Sequence, residues 1–177
     1  MKLAALGVRN GVVSDVLNHG VLEGIGGVGA IGGVAVIALD QLTKAAVEHS
    51  LGLYQSVVVL PVLEITRYHN TGAAFSFLAD AAGWQRWLFT ALAIIVSVAL
   101  VVWLRRIDRG DRALASAVAL ILAGALGNVI DRLRLGHVID FIHVHWGEHY
   151  FAAFNVADSA ITIGAALLLL DAWLEAR

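Results

Sequence analysis

The sequence predicts an all-α membrane fold of four transmembrane helices, with a little β structure and a short interfacial helix in one outer loop. Three observations carry that expectation. Apolar residues make up 59% of the 177, against roughly 45–50% in ordinary soluble domains. They arrive in blocks of about 18, close to the ~20 residues that cross a bilayer as helix. Charged residues are only 15% of the chain, and there is a single proline.

Composition also excludes. The formal net charge is −2 and no long basic run occurs, so nucleic-acid binding finds no support. The absence of cysteine removes disulfides, thiolate metal sites and a cysteine nucleophile.

The elements follow in chain order. Residues 1–22 carry Lys2, Arg9, Asn10, Ser14, Asp15 and Asn18. They lack the apolar centre of a cleavable signal peptide, and read as a cytoplasmic extension or a surface-lying helix. The first span runs from about Gly24 to Val47 and is rich in glycine. Its Gly29-x-x-x-Gly33 spacing puts two small residues on one face, where another helix can approach closely. Trp87 to Leu104 and Ala113 to Ile130 form the second and third spans, both without charge. The fourth runs from Val156 to Trp173 and holds one acid near its start, Asp158. Between the first two spans, residues 48–86 form the only sizeable soluble-looking stretch. Val57 to Leu60, Pro61, then Leu63 to Tyr68 read as β structure broken at the proline. Phe75 to Ala82 is apolar enough to lie in the membrane surface as a short helix. With no internal repeat and no linker, residues 1–177 read as one domain.

Orientation follows from basic residues in short loops. Residues 105–112 hold four of the twelve Lys and Arg residues, so that loop is expected in the cytoplasm, with both termini. Trp84, Trp87 and Trp146 then fall near the outer interface, and Trp103 and Trp173 near the inner one.

Ionisable groups in or beside a span are expensive and need a reason. The topology makes them converge. Asp40 sits sixteen residues up the first span, or about 24 Å at 1.5 Å per residue, near the outer edge of a ~30 Å core. The third span ends outward in Gly127-Asn128-Val129-Ile130-Asp131-Arg132. Asp140 follows, and the fourth span begins outward at Asn155-Val156-Ala157-Asp158. Asp140 and Asp158 are joined by a hairpin between antiparallel spans, so they can face each other among apolar neighbours. Two close carboxylates at low dielectric share a proton. One then takes a proton from water while the other donates to a carbonyl oxygen. The competing reading makes each acid a helix cap.

Other residues have two readings each. Asp40 and Lys44 are i,i+4 and pair on one helical face. Asn128 and Asn155 are either satisfied core amides or orienting groups for an acid or substrate carbonyl. Arg132 either anchors at the interface or neutralises Asp131. His143, His145 and His149 have a spacing that invites zinc, but H-E-x-x-H is absent. Serine catalysis lacks G-x-S-x-G.

Five blocks together resemble the bacterial lipoprotein signal peptidases (signal peptidase II). They are Asp40-Gln41-Leu42-Thr43-Lys44, Asn70-Thr71-Gly72-Ala73-Ala74-Phe75-Ser76, Gly127 to Arg132, Val138-Ile139-Asp140-Phe141 and Phe154 to Ser159. The resemblance implies an aspartyl endopeptidase of the bacterial inner membrane. Such an enzyme cuts a prolipoprotein before its diacylglyceryl-modified cysteine, at the outer face. It implies Asp140 and Asp158 as the catalytic pair. Asp40, Lys44, Asn70, Gly72, Asn128, Arg132 and Asn155 become substrate-positioning or supporting residues. It further implies a periplasmic β-cradle on the membrane surface and inhibition by globomycin. No cofactor or metal is expected, and the chain is read as a monomer. Two features depart from the family pattern: the first twenty or so residues match no motif, and Ala152 stands where proline is frequent.

Two other classes compete. A proton-coupled transporter would place its acids at mid-depth along a polar path, whereas these cluster at one interface. A non-catalytic scaffold would tolerate replacement of either acid by its amide.

Overall fold

The computed structural model describes residues 27–72, 83–108 and 110–177. Four helices and four strands occur among them: α1 (Gly27–Ser50), β1 (Ser56–Leu60), β2 (Leu63–Asn70), α2 (Trp84–Leu104), α3 (Arg112–Arg134), β3 (Val138–Trp146), β4 (His149–Tyr150) and α4 (Val156–Glu175). The expected extension at 1–22 and the interfacial helix at 75–82 lie outside the described residues.

Three of the four helices, α2, α3 and α4, are long and apolar enough to cross a membrane. The apolar run of α1 is interrupted by Asp40, Gln41 and Lys44, and α1 falls outside that set. The surface is inverted relative to a soluble protein. Ile31, Val34, Leu42, Ile95 and Leu169 are each about two-thirds exposed or more, while Asp40, Lys44 and Asn155 are enclosed. Apolar residues outward and satisfied polar groups inward is the arrangement a lipid solvent demands.

Helix α3 is central and packs against α1, α2 and α4. Small residues permit this. A Cβ added at Gly124 would strike the carbonyl of Ala157 on α4, and one at Gly127 would lie 2.8 Å from Asp40 Oδ2 on α1. Gly33, half of the expected small-residue face, sits against Ala123 of α3. Away from the polar groups, Leu100, Leu104 and Val118 form a buried core with Ile107, Leu114 and Leu168 around it.

The four strands form one antiparallel sheet in the order β1-β2-β3-β4. The turn at Pro61 joins β1 to β2, as the sequence suggests. The other half of the sheet comes from the connection between α3 and α4, read from sequence as a mere hairpin. Strand β3 pairs with β2 across the sheet, with Asn70 opposite Val138 and Tyr68 opposite Asp140. Phe154 then bridges to Ile142, exchanging backbone hydrogen bonds of 2.8 and 3.0 Å. That bridge fixes the chain immediately before Asn155 and α4.

Candidate active site

The polar residues meet at the end of the bundle where α3 ends and α4 begins. They form two connected layers. The deeper is built round Lys44, which is 2% exposed. Its ammonium has three donors and three acceptors: Asp40 Oδ2 at 2.8 Å, Asp131 Oδ2 at 2.8 Å and Asn128 Oδ1 at 3.0 Å. The i,i+4 pair expected from sequence is therefore present, but it is part of a larger cluster. Asp40 Oδ1 accepts from the Ala157 backbone N–H at 2.9 Å, tying α1 to the first turn of α4. Asp131 accepts from Gln41 Nε2 at 2.8 Å and from the Ile139 N–H at 3.3 Å. Asp131 thus makes its direct ion pair with Lys44 rather than with Arg132.

The outer layer holds Asp140 and Asp158. Asn155 connects them. Its side chain donates to Asp140 Oδ1 at 2.7 Å, and its backbone N–H donates to Asp158 Oδ2 at 3.3 Å. Asn155 Oδ1 accepts in return from the Asp158 N–H at 2.9 Å, completing a capping box at the start of α4. The capping reading of Asp158 therefore holds, and it leaves Oδ1 free to accept from Asn128 Nδ2 at 2.7 Å. Both asparagines donate to acids.

Asp140 lies on β3, and its second oxygen accepts from Asn70 Nδ2 at 2.8 Å. Asn70 is held the right way round by Gly72, whose N–H donates 2.8 Å to Asn70 Oδ1. Gly72 has φ +107, and a Cβ there would strike the Phe89 ring of α2; a side chain at this φ is strained. Burial pushes the Asp140 carboxyl up to about 6, the nearby Asp158 charge adds to the rise, and the amides of Asn70 and Asn155 oppose it. Arg132 is close enough for its charge to act on Asp158, Asp140 and Asp131, yet its Nε is buried without a hydrogen-bond partner.

A cleft of about 330 Å³ opens onto Asp140, walled by Tyr68, Asn70, Thr71, His143 and Ala152. One carboxylate faces the opening while the second is held nearby by amides. Such a pair can activate water and protonate an amide without a covalent intermediate.

The structure also separates residues that sequence spacing grouped. His143 packs edge-on against Tyr68, and His145 stacks on Tyr150 with its Nε2 3.7 Å from Glu64. These histidines do not converge with His149 on a common point. Among the described residues, the one group of three with ligand-bearing atoms close together is Asp111, Asp171 and Glu175. It lies at the opposite end of the bundle, where Asp111 caps α3.

Sequence reasoning missed the parts that Gln41 and Asp131 play, and Arg67 altogether. Arg67 bonds the carbonyls of Glu48 and Leu51 at 3.2 and 3.1 Å and pairs with the Glu48 carboxylate at 3.2 Å. It thereby caps α1 from β2. A basic residue within an otherwise β-like run was the available signal.

Comparison with known proteins shows the family. The family described as signal peptidase (SPase) II matches residues 33–174. The lipoprotein signal peptidase of Pseudomonas syringae pv. tomato is 60% identical over 140 residues, covering 78% of this chain and 81% of that protein. That of Pseudomonas aeruginosa (strain UCBPP-PA14) is 60% identical over 140 residues, covering 78% and 83%. A bacterial membrane enzyme solved by the in meso method at 2.3 Å superposes with a TM-score of 0.77 at 33% identity, covering 85% of this chain and 90% of that one. A second, at 1.9 Å, gives 0.73 at 34% identity, covering 82% and 92%.

Proposed function

The chain belongs to the signal peptidase II family of membrane-embedded aspartyl endopeptidases, and from that premise we propose that Asp140 and Asp158 are its catalytic pair. The observation that carries this reading is the double grip of Asn155, which donates to Asp140 and to Asp158 at once. A hydrogen-bonded frame that holds a buried acid at an open cleft, with a second, half-buried acid tied to it, has little purpose if each acid only caps a helix.

The activity is proteolytic removal of signal peptides from prolipoproteins. The substrate is a prolipoprotein whose cysteine already carries a diacylglyceryl group, and the cut falls before that cysteine. A substrate so anchored is met at the interface, which is where the pair lies. One carboxylate of the pair takes a proton from water, and the hydroxide equivalent attacks the scissile carbonyl. The other donates its proton to the carbonyl oxygen. Collapse of the tetrahedral intermediate breaks the C–N bond, and the departing amine takes up the proton gained from water. The shared proton is a property of the pair.

The remaining residues support this chemistry. Asn70 and Asn155 hold Asp140, Asn128 holds Asp158, and Gly72 fixes Asn70. Lys44 and Asp40 lock α1 to α3 and α4 beneath them. Arg132, whose charge reaches both acids of the pair, is assigned as a supporting residue that helps position the substrate.

The same reading makes α1 the fourth span, its exposed Ile31, Val34, Leu39 and Leu42 facing lipid. The whole chain is one domain and works as a monomer in the bacterial inner membrane. Both termini are cytoplasmic and the pair lies at the outer face. Globomycin is expected to compete for the cleft.

The deciding experiment is cleavage of a diacylglyceryl-modified prolipoprotein in detergent by the wild type, Asp140→Asn and Asp158→Asn, with and without a chelator. Folded but inactive amide variants and indifference to chelation support the pair. Retained cutting by either variant refutes it, and loss on chelation moves attention to the histidines of β3 and β4.

A further inference from the structure

Two histidines outside the acid pair meet at the mouth of the site. His69, on β2, and His137, just before β3, stack with ring centroids 3.7 Å apart and planes 21° from parallel. Each neighbours a residue already named. His69 precedes Asn70, the donor to Asp140, and stands opposite Ile139 in the ladder. His137 precedes Val138, the partner of Asn70 in the last pair of the β2–β3 ladder. The stack therefore closes that ladder where Asn70 must be held.

The hydrogen bonds define what state the rings are in. Arg67 Nε donates to His69 Nε2 at 3.3 Å, so that nitrogen is an acceptor and the ring proton sits on Nδ1. His137 hydrogen-bonds to the backbone of Leu135, and its Nε2 is buried with no partner. Protonating His69 would set a donor against the Arg67 donor. Protonating His137 would bury an N–H with nothing to accept it. Either event also puts a cation against its stacked neighbour.

We propose that His69 and His137 are a positioning pair for the hydrolysis, whose stacked, uncharged rings keep Asn70 on Asp140. This rests on the reading of Asp140 as catalytic. The charged groups around the pair come from every element packed on it: Glu48 from α1, Arg67 from β2 and Asp131 from α3. Arg86 of α2 adds to them, binding the Leu133 carbonyl at 3.2 Å and flanking Gly136. Burial is the leading cause that holds both imidazoles below their ordinary value of 6.5, and the acid groups do not reverse it. As pH falls the rings protonate, the stack opens and Asn70 loosens from Asp140. Part of the acid-side loss of activity then belongs to the histidines rather than to the acids.

The test uses the full chain in detergent with a diacylglyceryl-modified prolipoprotein, measuring kcat and KM from pH 5 to 8. His137→Ala removes the stack, and is expected to lower kcat at pH 7.5 about fivefold or more with KM within about twofold. His137→Phe keeps a flat ring that cannot be protonated. It is expected to restore at least about half of kcat and to carry the acid limb about half a pH unit lower. Wild-type kcat in the alanine variant, or an unmoved acid limb in the phenylalanine variant, overturns the proposal. An Asp140→Asn control separates the two readings. If that variant still cuts, the catalytic assignment has failed; if it is dead while both His137 variants match the wild type, only the positioning pair has failed.

Discussion

Lys44 Nζ lies 3.0 Å from Asn128 Oδ1, and this contact decides which way the Asn128 amide faces. With its oxygen held by the ammonium, the amide can present only Nδ2 to Asp158, at 2.7 Å. The charge of a lysine that touches neither acid of the pair thus reaches Asp158 through one amide. Lys44 also separates Asp40 from Asp131. Breaking a buried ion pair by removing one partner costs about 3–5 kcal/mol, so Lys44→Met is expected to lower Tm in detergent sharply and abolish cleavage. A variant that melts like the wild type and retains turnover would show that the cluster is dispensable.

Asn155→Ala separates structure from chemistry. Loss of an N-cap costs about 1 kcal/mol, a small fall in Tm. Loss of a preorganised donor at a reacting group costs about 10²–10³ in kcat. The expected result is therefore a stable protein with kcat down by at least about a hundredfold. Equal, modest effects on both would mean that Asn155 is only a cap.

Much of this arrangement is legible in the sequence, and the reason is depth. Asp40, Asn128, Asp131, Asn155 and Asp158 sit at helix positions whose height follows from 1.5 Å per residue, so their convergence can be read by counting. Pairing across the sheet cannot. Asn70 reaches Asp140 because β2 is hydrogen-bonded to β3, and α2 and α3 both lie between those strands in the chain. Local β propensity says nothing about which strand a run will join. The same gap hid the His69–His137 stack. The valence of Lys44 was also out of reach, since i,i+4 spacing reveals one partner and the other two arrive from α3.

The raised Asp140 carboxyl makes a prediction about stability. Its ordinary value is 3.8 and the folded value is about 6. Between those pH values the folded state binds more protons than the unfolded, so its stability falls as pH rises through the window. Above it a constant cost remains, up to about 3 kcal/mol at 1.36 kcal/mol per pH unit. Asp140→Asn has no charge to bury and is expected to melt higher than the wild type at pH 7.5, while cutting nothing. The gain should shrink toward zero as pH approaches 4. Thermal unfolding in detergent from pH 4 to 8 checks this, and a variant less stable than the wild type at pH 7.5 contradicts it.

Two glycines facing α3 contacts should respond to alanine in opposite ways, because the space beside them differs. At Gly33 a Cβ would meet Ala123 Cβ at 3.7 Å, an ordinary contact. Alanine there keeps helical backbone and removes freedom from the unfolded chain, worth about 0.4–1 kcal/mol. Gly33→Ala is expected to raise Tm slightly and leave turnover alone. At Gly124 the new methyl would run into the carbonyl of Ala157, so the first turn of α4 must move. That turn carries the Ala157 N–H held by Asp40 and the Asp158 carboxylate held by Asn128. Gly124→Ala is expected to cost about 1–3 kcal/mol by overpacking. It should also reduce kcat by more than that instability explains at temperatures where the variant is folded. Melting curves and initial rates on the two variants decide it. If Gly124→Ala loses stability yet keeps wild-type kcat, the position of α4 is not what aligns the pair, and the frame formed by Asn155 and Asn128 tolerates displacement.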